Sequence, residues 1–435
     1  MRLKTFFGWI IIFILSFLPA VAWFLSSSDA INFTGYSSIT HGLGEIFGLI
    51  GMSMFALTFI LSMRLKWIEK IFNGLDKVYI VHGVLGGLAL FFILLHPILL
   101  VLKFVPSNFN LAAKYLLPSS AWSINLGIIA LLGLIFLIVL TLFTKIRYER
   151  WKFSHKFLGL VFMLAIAHIF LVRMFFVTDG IFEGYYIYAF VVSLIGLIGF
   201  FYTLFVKRII LKEFRYEISH INSLKNVFEI TMIPKSTPLK YEKGQFAFFE
   251  FKNRSLPLES HPFSIASKSN SRELKIFVKK LGDFTSNLDV LKIGDEVDIE
   301  GPYGKFSYTK NNRDQVWIAG GIGITPFLGM AQELQNNKIE NKVYLIYTVK
   351  EGSEFVGKEI FNNLASENKN FKCLYWISNQ KGYLGLNNIS KFIGNLKDKE
   401  YFLCGPAALK EKIMKDLKEE KISKNNIHEE TFELK

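Results

Sequence analysis

The chain has 435 residues, of which 51% are hydrophobic, and its mean hydropathy of +0.33 is too high for a wholly soluble protein. Its formal net charge is +14, but the basic residues cluster beside apolar stretches and form no stripe with interleaved aromatic residues. This pattern excludes a nucleic-acid-binding protein and favours a membrane protein. Two cysteines, Cys373 and Cys404, are too few for a disulfide framework or a thiolate metal cage, and they suit a reducing cytoplasm.

Six apolar stretches in the first half have the ~20 residues that cross a bilayer core. They lie at about 6–25, 42–63, 78–102, 122–144, 153–176 and 184–206. Lys and Arg concentrate in alternate connections, such as 64–77 and 145–152, so the positive-inside rule places both chain termini in the cytoplasm of a cell-membrane protein. The first stretch, with Ala20-Val21-Ala22, also imitates a signal peptide, and cleavage there would leave the other five spans oriented as before.

Four histidines lie inside the third and fifth stretches. His82 and His96 are 14 residues apart and His155 and His168 are 13 apart. Taking both spacings as about four turns of 3.6 residues, we expect each pair on one helix face with its members roughly 20 Å apart. A histidine in a membrane-spanning helix costs free energy unless it has a partner. Two such helices could hold two irons at two depths, each with two imidazoles. The alternative is that the histidines only pack between helices.

The third and fifth spans run in the same direction, so the sequence predicts His82 with His155 at the inner depth and His96 with His168 at the outer depth.

After about residue 210 the residue pattern changes to short stretches in which apolar and polar residues alternate. These stretches lie at about 214–218, 227–232, 246–251, 274–278 and 296–300, and they predict a small antiparallel β-barrel. From about 313 a strand, a glycine turn and a helix repeat, which predicts a doubly wound α/β sheet. The predicted domains are therefore 1–210, 211–312 and 313–435.

His261-Pro262-Phe263-Ser264 follows the strand 246–251. Here the sequence resembles the flavin segment of the ferredoxin reductase superfamily, specifically its NADPH oxidase and ferric reductase branch. The resemblance implies that Phe263 packs against the isoalloxazine, that the Ser264 hydroxyl binds the flavin near N5, and that His261 and Pro262 lie beside the flavin tail. Without the resemblance, the four residues would be a polar turn between strands.

Gly282-Asp283-Phe284-Thr285 matches the loop of that family that meets the flavin diphosphate, and a glycine turn with a hydroxyl and free backbone amides suits an anion. Gly320-Gly321-Ile322-Gly323-Ile324-Thr325-Pro326 follows a strand and opens a helix, which lets the backbone approach a pyrophosphate at the positive helix end. The resemblance implies that this second loop binds the nicotinamide dinucleotide.

Cys404-Gly405-Pro406 follows the last apolar strand, and in the resembling family this cysteine lies where nicotinamide approaches the flavin. We therefore assign Cys404 to the geometry of hydride transfer and not to nucleophilic or disulfide chemistry. In relatives a C-terminal aromatic residue shields the flavin, and Phe432 is the candidate for this role. The alternative is that Phe432 is an ordinary packed phenylalanine.

Lys350 and Lys381 follow strands at whose ends the 2′-phosphate of NADPH would bind. They favour NADPH over NADH, unless both lysines are simply solvated.

The combination resembles transmembrane NADPH oxidases and ferric reductases over nearly the whole chain, in the form of a minimal, bacterial-type member. It implies FAD, two haem b groups and NADPH or NADH as cofactors, with electrons moving outward through the membrane. The expected acceptor is dioxygen, which gives superoxide. The alternatives are ferric or cupric ions, such as a ferric chelate, or an extracytoplasmic redox partner, and then a haem-free, membrane-anchored flavin reductase. Whether the chain forms a homo-oligomer or binds a protein partner stays open.

Overall fold

The computed structural model describes residues 3–26, 34–105, 107–143, 148–176, 184–206, 214–269, 271–308, 313–335 and 340–430. Contacts divide the chain into two compact units. The helical unit comprises Leu3–Phe72 and Lys77–Arg208, and the sheet unit consists mainly of Ile209–Lys435. The predicted domain boundary near residue 210 falls outside the described residues.

Helices make up the described part of the first unit because its apolar runs of Leu, Ile, Phe and Ala must satisfy every backbone hydrogen bond internally in lipid. They are α1 (Leu3–Ser26), α2 (Tyr36–Ser62), α3 (Lys66–Phe72), α4 (Leu75–Leu102), α5 (Phe109–Lys114), α6 (Trp122–Phe143), α7 (Tyr148–Lys156), α8 (Leu158–Phe176) and α9 (Gly184–Phe201), which a π-helical turn continues over Tyr202–Val206. Six spans in the described residues are long and apolar enough to cross a membrane. The prediction of a multi-pass membrane protein is confirmed.

The fifth span is broken at Phe157, between α7 and α8. The Phe157 N–H donates to Ser154 O at 3.0 Å, a tighter turn than the α-helical pattern. The break affects which side of the helix each histidine lies on. The 14 residues from His82 to His96 are about 3.9 turns of a regular helix, but the 13 residues from His155 to His168 are only about 3.6 turns. A continuous helix would turn the rings of His155 and His168 well apart. The break frees His155 from that constraint.

The first half of the sheet unit contains β1 (Phe214–Leu224), β2 (Val227–Pro234), β3 (Phe246–Lys252), β4 (Ser260–Ser264), β5 (Leu274–Lys279) and β6 (Glu296–Tyr303), with a short helix α10 (Asp283–Ser286). These strands form one antiparallel sheet in the order β4-β3-β6-β1-β2-β5. The expected barrel is not closed, because in the described residues no ladder joins β4 to β5. The chain leaves β4 after Ser264. Bonds from Ala266 N to Lys275 O, at 2.8 Å, and from Lys275 N to Ser267 Oγ, at 3.0 Å, join the following segment to β5.

Strand β4 was not expected, since its proline suggested a turn. It lies at the edge of the sheet and pairs with β3 only, with Pro262 opposite Phe248. An edge strand tolerates proline because the missing N–H is not needed for a second ladder. The sequence His261–Ser264 is therefore held in an extended, fixed register.

The second half of the unit is a parallel sheet with the strand order β11-β10-β7-β8-β9, which confirms the doubly wound prediction. Its strands are β7 (Asp314–Gly320), β8 (Val343–Val349), β9 (Phe371–Ile377), β10 (Lys399–Cys404) and β11 (Ile427–Glu430). Its helices are α11 (Thr325–Leu334), α12 (Lys358–Glu367), α13 (Ser378–Lys381), α14 (Leu386–Ile393) and α15 (Ala407–Glu419). The strand order reverses between β7 and β10, so a crevice is expected beyond the carboxyl ends of these two strands.

Candidate functional site

The structure brings the four membrane histidines together as two pairs across the bundle. The ring centroids of His82 and His155 are 6.2 Å apart with planes at 54°, and those of His96 and His168 are 6.4 Å apart with planes at 74°. Each pair joins one histidine of α4 to one of the fifth span. The pairing is the one that the direction of the spans suggested.

Three of the four imidazoles are oriented by a backbone carbonyl. His82 Nδ1 lies 3.0 Å from Thr58 O, His96 Nδ1 lies 2.7 Å from Gly44 O, and His168 Nδ1 lies 2.7 Å from Ser123 O. A carbonyl only accepts, so Nδ1 carries the proton and donates it, and Nε2 keeps its lone pair for a metal. The sequence could not reveal these partners, because every residue has a carbonyl.

Two glycines make room for the rings of His96 and His168. A Cβ at Gly48 would lie 2.7 Å from His96 Nδ1, and one at Gly127 would lie 2.8 Å from His168 Nδ1. Both contacts are too short for any side chain, so a residue larger than glycine would push the imidazole away. Glycine inside an apolar helix, where alanine or leucine is the better helix former, was the available sequence signal.

The separations of the two pairs fit one iron between each pair of rings. A metal–imidazole bond is about 2.0 Å in zinc sites, so two coaxial imidazoles place their ring centroids about 6.3 Å apart. The described residues contain no group of three or more His, Cys, Asp or Glu side chains that could hold a metal ion. A pair of imidazoles is instead a ligand set that a haem iron can take, because the porphyrin supplies the four remaining nitrogens.

In the sheet unit, the two flavin motifs meet through a pair of stacked rings. His261 on β4 lies 3.9 Å from Phe284 of α10, centroid to centroid, and its Nε2 lies 2.9 Å from Glu259 Oε2. Phe263, on the same strand, is half-buried 5.9 Å from Phe249, and Ser264 is buried. The segment around Gly282 is therefore anchored beside the strand that carries Phe263 and Ser264.

The loop at Gly282 differs in one respect from the sequence expectation. Its Thr285 hydroxyl accepts from Leu281 N–H at 3.0 Å and from Gly282 N–H at 3.1 Å, so these two amides are not free for an anion. The reason is local: a threonine three residues into a turn caps the preceding amides and starts the four-residue helix at Asp283.

The two glycine-bearing loops of the parallel sheet pack against each other at the strand-order reversal. A Cβ at Gly323 would lie 2.4 Å from Cys404 O, and one at Gly320 would lie 2.8 Å from Pro406 Cδ. Gly321 has a φ of +54°, and Gly405 has a φ of +154°, a value that side chains rarely adopt. The structure therefore places these two loops together, as a dinucleotide site requires.

Helix α11, which follows the loop at residues 320–324, begins with the last two residues of that sequence motif. The Thr325 hydroxyl donates to Ile322 O at 2.8 Å, and Pro326 lies in the first turn of α11, where its missing N–H removes no hydrogen bond. A loop with glycine at three of its five positions, 320–324, thus leads into a helix N-terminus.

Cys404 ends β10 and is buried, and burial raises the pKa of its thiol well above the ordinary range, with the nearby Glu430 adding to the effect. The thiol therefore stays neutral, in keeping with a role in geometry and not in thiolate chemistry. Cys373, by contrast, is half-buried on β9, and burial raises its pKa to about 11.

Glu430 is a buried carboxyl beside Cys404 that the sequence patterns did not indicate. It lies opposite Cys404 on the neighbouring strand β11, and a Cβ at Gly304, at the end of the antiparallel sheet, would lie 3.5 Å from Glu430 Oε1. Burial raises the pKa of Glu430 well above its usual value, and Oε2 has no hydrogen-bond partner among the described residues. A four-residue strand so near the chain end gives no pattern that would have revealed it.

A cavity of about 220 Å³ lies between the antiparallel sheet and the parallel sheet. Gly321 and Ile322 line one side, and Lys279 of β5 and Lys225 of the β1–β2 turn line the other. Lys225 Nζ lies 2.9 Å from Ser353 Oγ and 3.7 Å from Glu351 Oε2, and Lys279 Nζ lies 3.9 Å from Glu354 Oε2. The cavity thus places a glycine loop opposite two lysines, each of which also faces a carboxylate.

Lys350 and Lys381, which the sequence suggests for the choice between NADPH and NADH, follow β8 and β9. The Ser378 hydroxyl donates to Val349 O at 3.2 Å, so the two strand ends meet. Lys381 Nζ lies 5.4 Å from the centre of the Trp376 ring, and Tyr383 next to it is 91% exposed. Phe432, the proposed flavin shield, lies outside the described residues.

Comparison with known families agrees with this geometry. Residues 47–166 match the family model of the ferric reductase like transmembrane component, residues 213–307 an FAD-binding domain, and residues 317–415 an oxidoreductase NAD-binding domain. The first match contains His82, His96 and His155, the second contains both flavin motifs, and the third contains both glycine-bearing loops. The chain has the architecture of the ferric reductase and NADPH oxidase type. Its matched domains, in this order, are a membrane component, an FAD-binding domain and an oxidoreductase NAD-binding domain.

Curated relatives match the sheet unit. The phenol hydroxylase P5 protein of Acinetobacter pittii is 23% identical over 237 residues, which cover 51% of this chain and 66% of that protein. NADH-cytochrome b5 reductase 2 of Mycosarcoma maydis is 31% identical over 156 residues, 33% of this chain and 45% of that protein. The chain thus spans between about half and two thirds of the length of these relatives.

Among solved structures, flavohemoglobin from Malassezia yamatoensis has a TM-score of 0.51 at 16% identity, covering 91% of this chain and 98% of that one. The FAD/NAD-binding domain of the Vibrio cholerae nitric oxide dioxygenase has a TM-score of 0.46 at 24% identity, covering 50% of this chain and 98% of that one. These likenesses concern the fold only.

The raised pKa of Glu430 predicts a pH-dependent stability of this ferric reductase-type chain. The folded state keeps the proton that the unfolded state loses above a pKa of about 4.3, so this contribution to stability decreases as pH rises above that value. The midpoint temperature of thermal unfolding, monitored by flavin release, should therefore decrease between pH 5 and pH 8. The decrease should be smaller in Glu430→Gln. The exposed neighbour, changed as Glu429→Gln, is the control. Equal shifts in all three proteins would contradict the assignment.

Proposed function

We propose that the protein transfers electrons from cytoplasmic NADPH or NADH, by way of FAD and two haem b groups, to an acceptor on the outer side of the membrane. The observation that carries the proposal is the pair of imidazole separations, 6.2 and 6.4 Å, each of which fits one bis-imidazole iron. His82 and His155 would hold the inner haem, and His96 and His168 the outer haem. When bound, flavin accepts a hydride and haem accepts single electrons, so the combination divides an electron pair.

The residues of the sheet unit would hold and orient the flavin and the dinucleotide. Phe263 would pack against the isoalloxazine, the Ser264 hydroxyl would donate to the flavin near N5, and the neutral Cys404 thiol would set the nicotinamide approach. Phe432 would cover the flavin until the nicotinamide arrives. Burial favours the protonated form of Glu430, so it can keep a proton beside Cys404 without placing a fixed charge there.

The remaining cofactor contacts would come from the motif loops. His261, Pro262 and the segment Gly282-Asp283-Phe284-Thr285 would lie along the flavin tail. The loop that contains Gly320, Gly321, Gly323, Thr325 and Pro326 would receive the dinucleotide pyrophosphate together with Gly405 and Pro406. The cavity beside Gly321, with Lys279 and Lys225 on its other side, supports a phosphate there.

The orientation follows from the basic connections, which place both termini and the sheet unit in the cytoplasm and the His96–His168 pair towards the outside. We propose dioxygen, giving superoxide, as the acceptor. In the sequence, the outer connections hold Asp29 at one place and Asp179 with Glu183 at another, which is fewer than the carboxylate cluster that a bare ferric ion prefers. A ferric or cupric chelate is the second candidate, which the name of the matching membrane family favours.

Haem binding is tested by the absorbance of the purified protein. We expect two haems per chain with bis-imidazole spectra, and we expect one of them to be lost in His82→Ala and the other in His96→Ala, since each change removes one axial ligand. His41→Ala, in α2, is a matched control because His41 faces Glu45 at 3.9 Å and is not part of either pair. Full haem content in both ligand variants would overturn the assignment of these histidines, and a wild-type protein without haem would leave only a membrane-anchored flavin reductase.

The acceptor is tested with the wild-type protein and two assays. If dioxygen is the acceptor, NADPH-dependent reduction of cytochrome c should disappear when superoxide dismutase is added. Reduction that dismutase does not affect, together with rapid anaerobic reduction of a ferric chelate, would replace the oxidase with a metalloreductase.

Dinucleotide preference is tested at the end of β9. If Lys381 contacts a 2′-phosphate, Lys381→Ala should raise KM for NADPH about tenfold, which corresponds to about 1.4 kcal/mol, and leave KM for NADH unchanged. Lys350→Ala should act in the same direction. The exposed Lys391 of α14, changed to alanine, is the control for loss of a surface charge. Equal changes in KM for both dinucleotides would show that these lysines do not select the phosphate.

A further inference from the structure

One of the four membrane histidines is held differently from the others. His155 Nδ1 is buried and has no hydrogen-bond partner among the described residues, whereas Nδ1 of His82, His96 and His168 each meets a backbone carbonyl. His155 also lies at the end of α7, two residues before the break at Phe157. It therefore lacks both a polar anchor and a continuous helix on its C-terminal side.

An aromatic ring takes the place of the polar anchor. Trp151 lies one helical turn before His155, and the two rings are stacked with centroids 5.3 Å apart and planes at 28°. Stacking of this kind restricts how the imidazole turns, but it offers no acceptor to Nδ1. The ring of His155 is thus positioned by its contact with the face of the Trp151 ring.

This difference has a consequence for a bound metal. A hydrogen bond from Nδ1–H to a carbonyl increases the basicity of a metal-bound imidazole, and loss of such a partner typically weakens metal affinity 10- to 100-fold. A weaker donor stabilises ferric iron less, and hydrogen bonding around an axial ligand is one of the factors that set haem potential. The two ligand sets are therefore not equivalent.

We propose that Trp151 is the positioning residue of the His82–His155 haem, and that stacking without an acceptor makes this haem easier to reduce and to lose than a fully hydrogen-bonded ligand set would. This inference rests on the proposed function, because it needs a haem at that pair. The His96–His168 haem, with an acceptor at both histidines, is the internal reference.

The test is a redox titration of the purified full-length protein, followed by haem absorbance and combined with the haem content per chain. Trp151→Leu should lose one haem per chain or one of the two reduction steps, and Trp151→Phe, which keeps an aromatic ring, should restore both. Trp151→Gln puts an amide oxygen one turn before His155, and should shift one step to lower potential by about 59 mV for each tenfold gain in preference for ferric iron.

Gly127→Ala shows which reduction step belongs to which haem. Its Cβ would displace the ring of His168, so it should change only the His96–His168 haem. Two haems and two unchanged steps in both Trp151→Leu and Trp151→Gln would overturn the inference and leave the proposed function intact. Changes of the same step in Gly127→Ala and Trp151→Leu would also overturn it. A wild-type protein without haem would overturn the proposed function itself.

Discussion

An imidazole inside a membrane has two nitrogens, and hydrocarbon offers a partner to neither. At His82, His96 and His168 the structure answers this constraint with a backbone carbonyl for Nδ1, which leaves Nε2 directed away from it for a second use. At the outer pair, glycines such as Gly48 and Gly127 provide the room for the rings. At the outer pair the histidines, the carbonyls and the glycines thus form one arrangement, and the ring separation of that pair depends on it.

The sheet unit follows a different constraint, which is the meeting of parallel strand ends. The strand order reverses between β7 and β10, so their loops share one crevice, and glycine is needed because Gly320 and Gly323 touch the backbone or ring of Cys404–Pro406. Burial raises the pKa values of Cys404 and Glu430, and the buried Lys410, whose Nζ donates to Glu430 O at 3.0 Å, lies beside them.

Hydropathy predicted the six spans, and alternation followed by strand-turn-helix repeats predicted both sheets, because these patterns are local. The histidine pairing was accessible because it follows from the direction of the spans. The break at Phe157, the carbonyl partners and the stack of Trp151 on His155 were not accessible, since they depend on how helices approach each other. Pro262 concealed the edge strand β4, and closure of the barrel could not be predicted because it depends on pairing between distant strands.

Passage of electrons across the membrane through the two histidine pairs can be measured with the protein in sealed vesicles that enclose an impermeant acceptor such as cytochrome c, with NADPH supplied only outside. We expect the enclosed acceptor to be reduced, and we expect this reduction to stop when either His82 or His96 is replaced by alanine. Oxidation of NADPH that reduces acceptors on the outside only, at the same rate in all three proteins, would contradict this expectation.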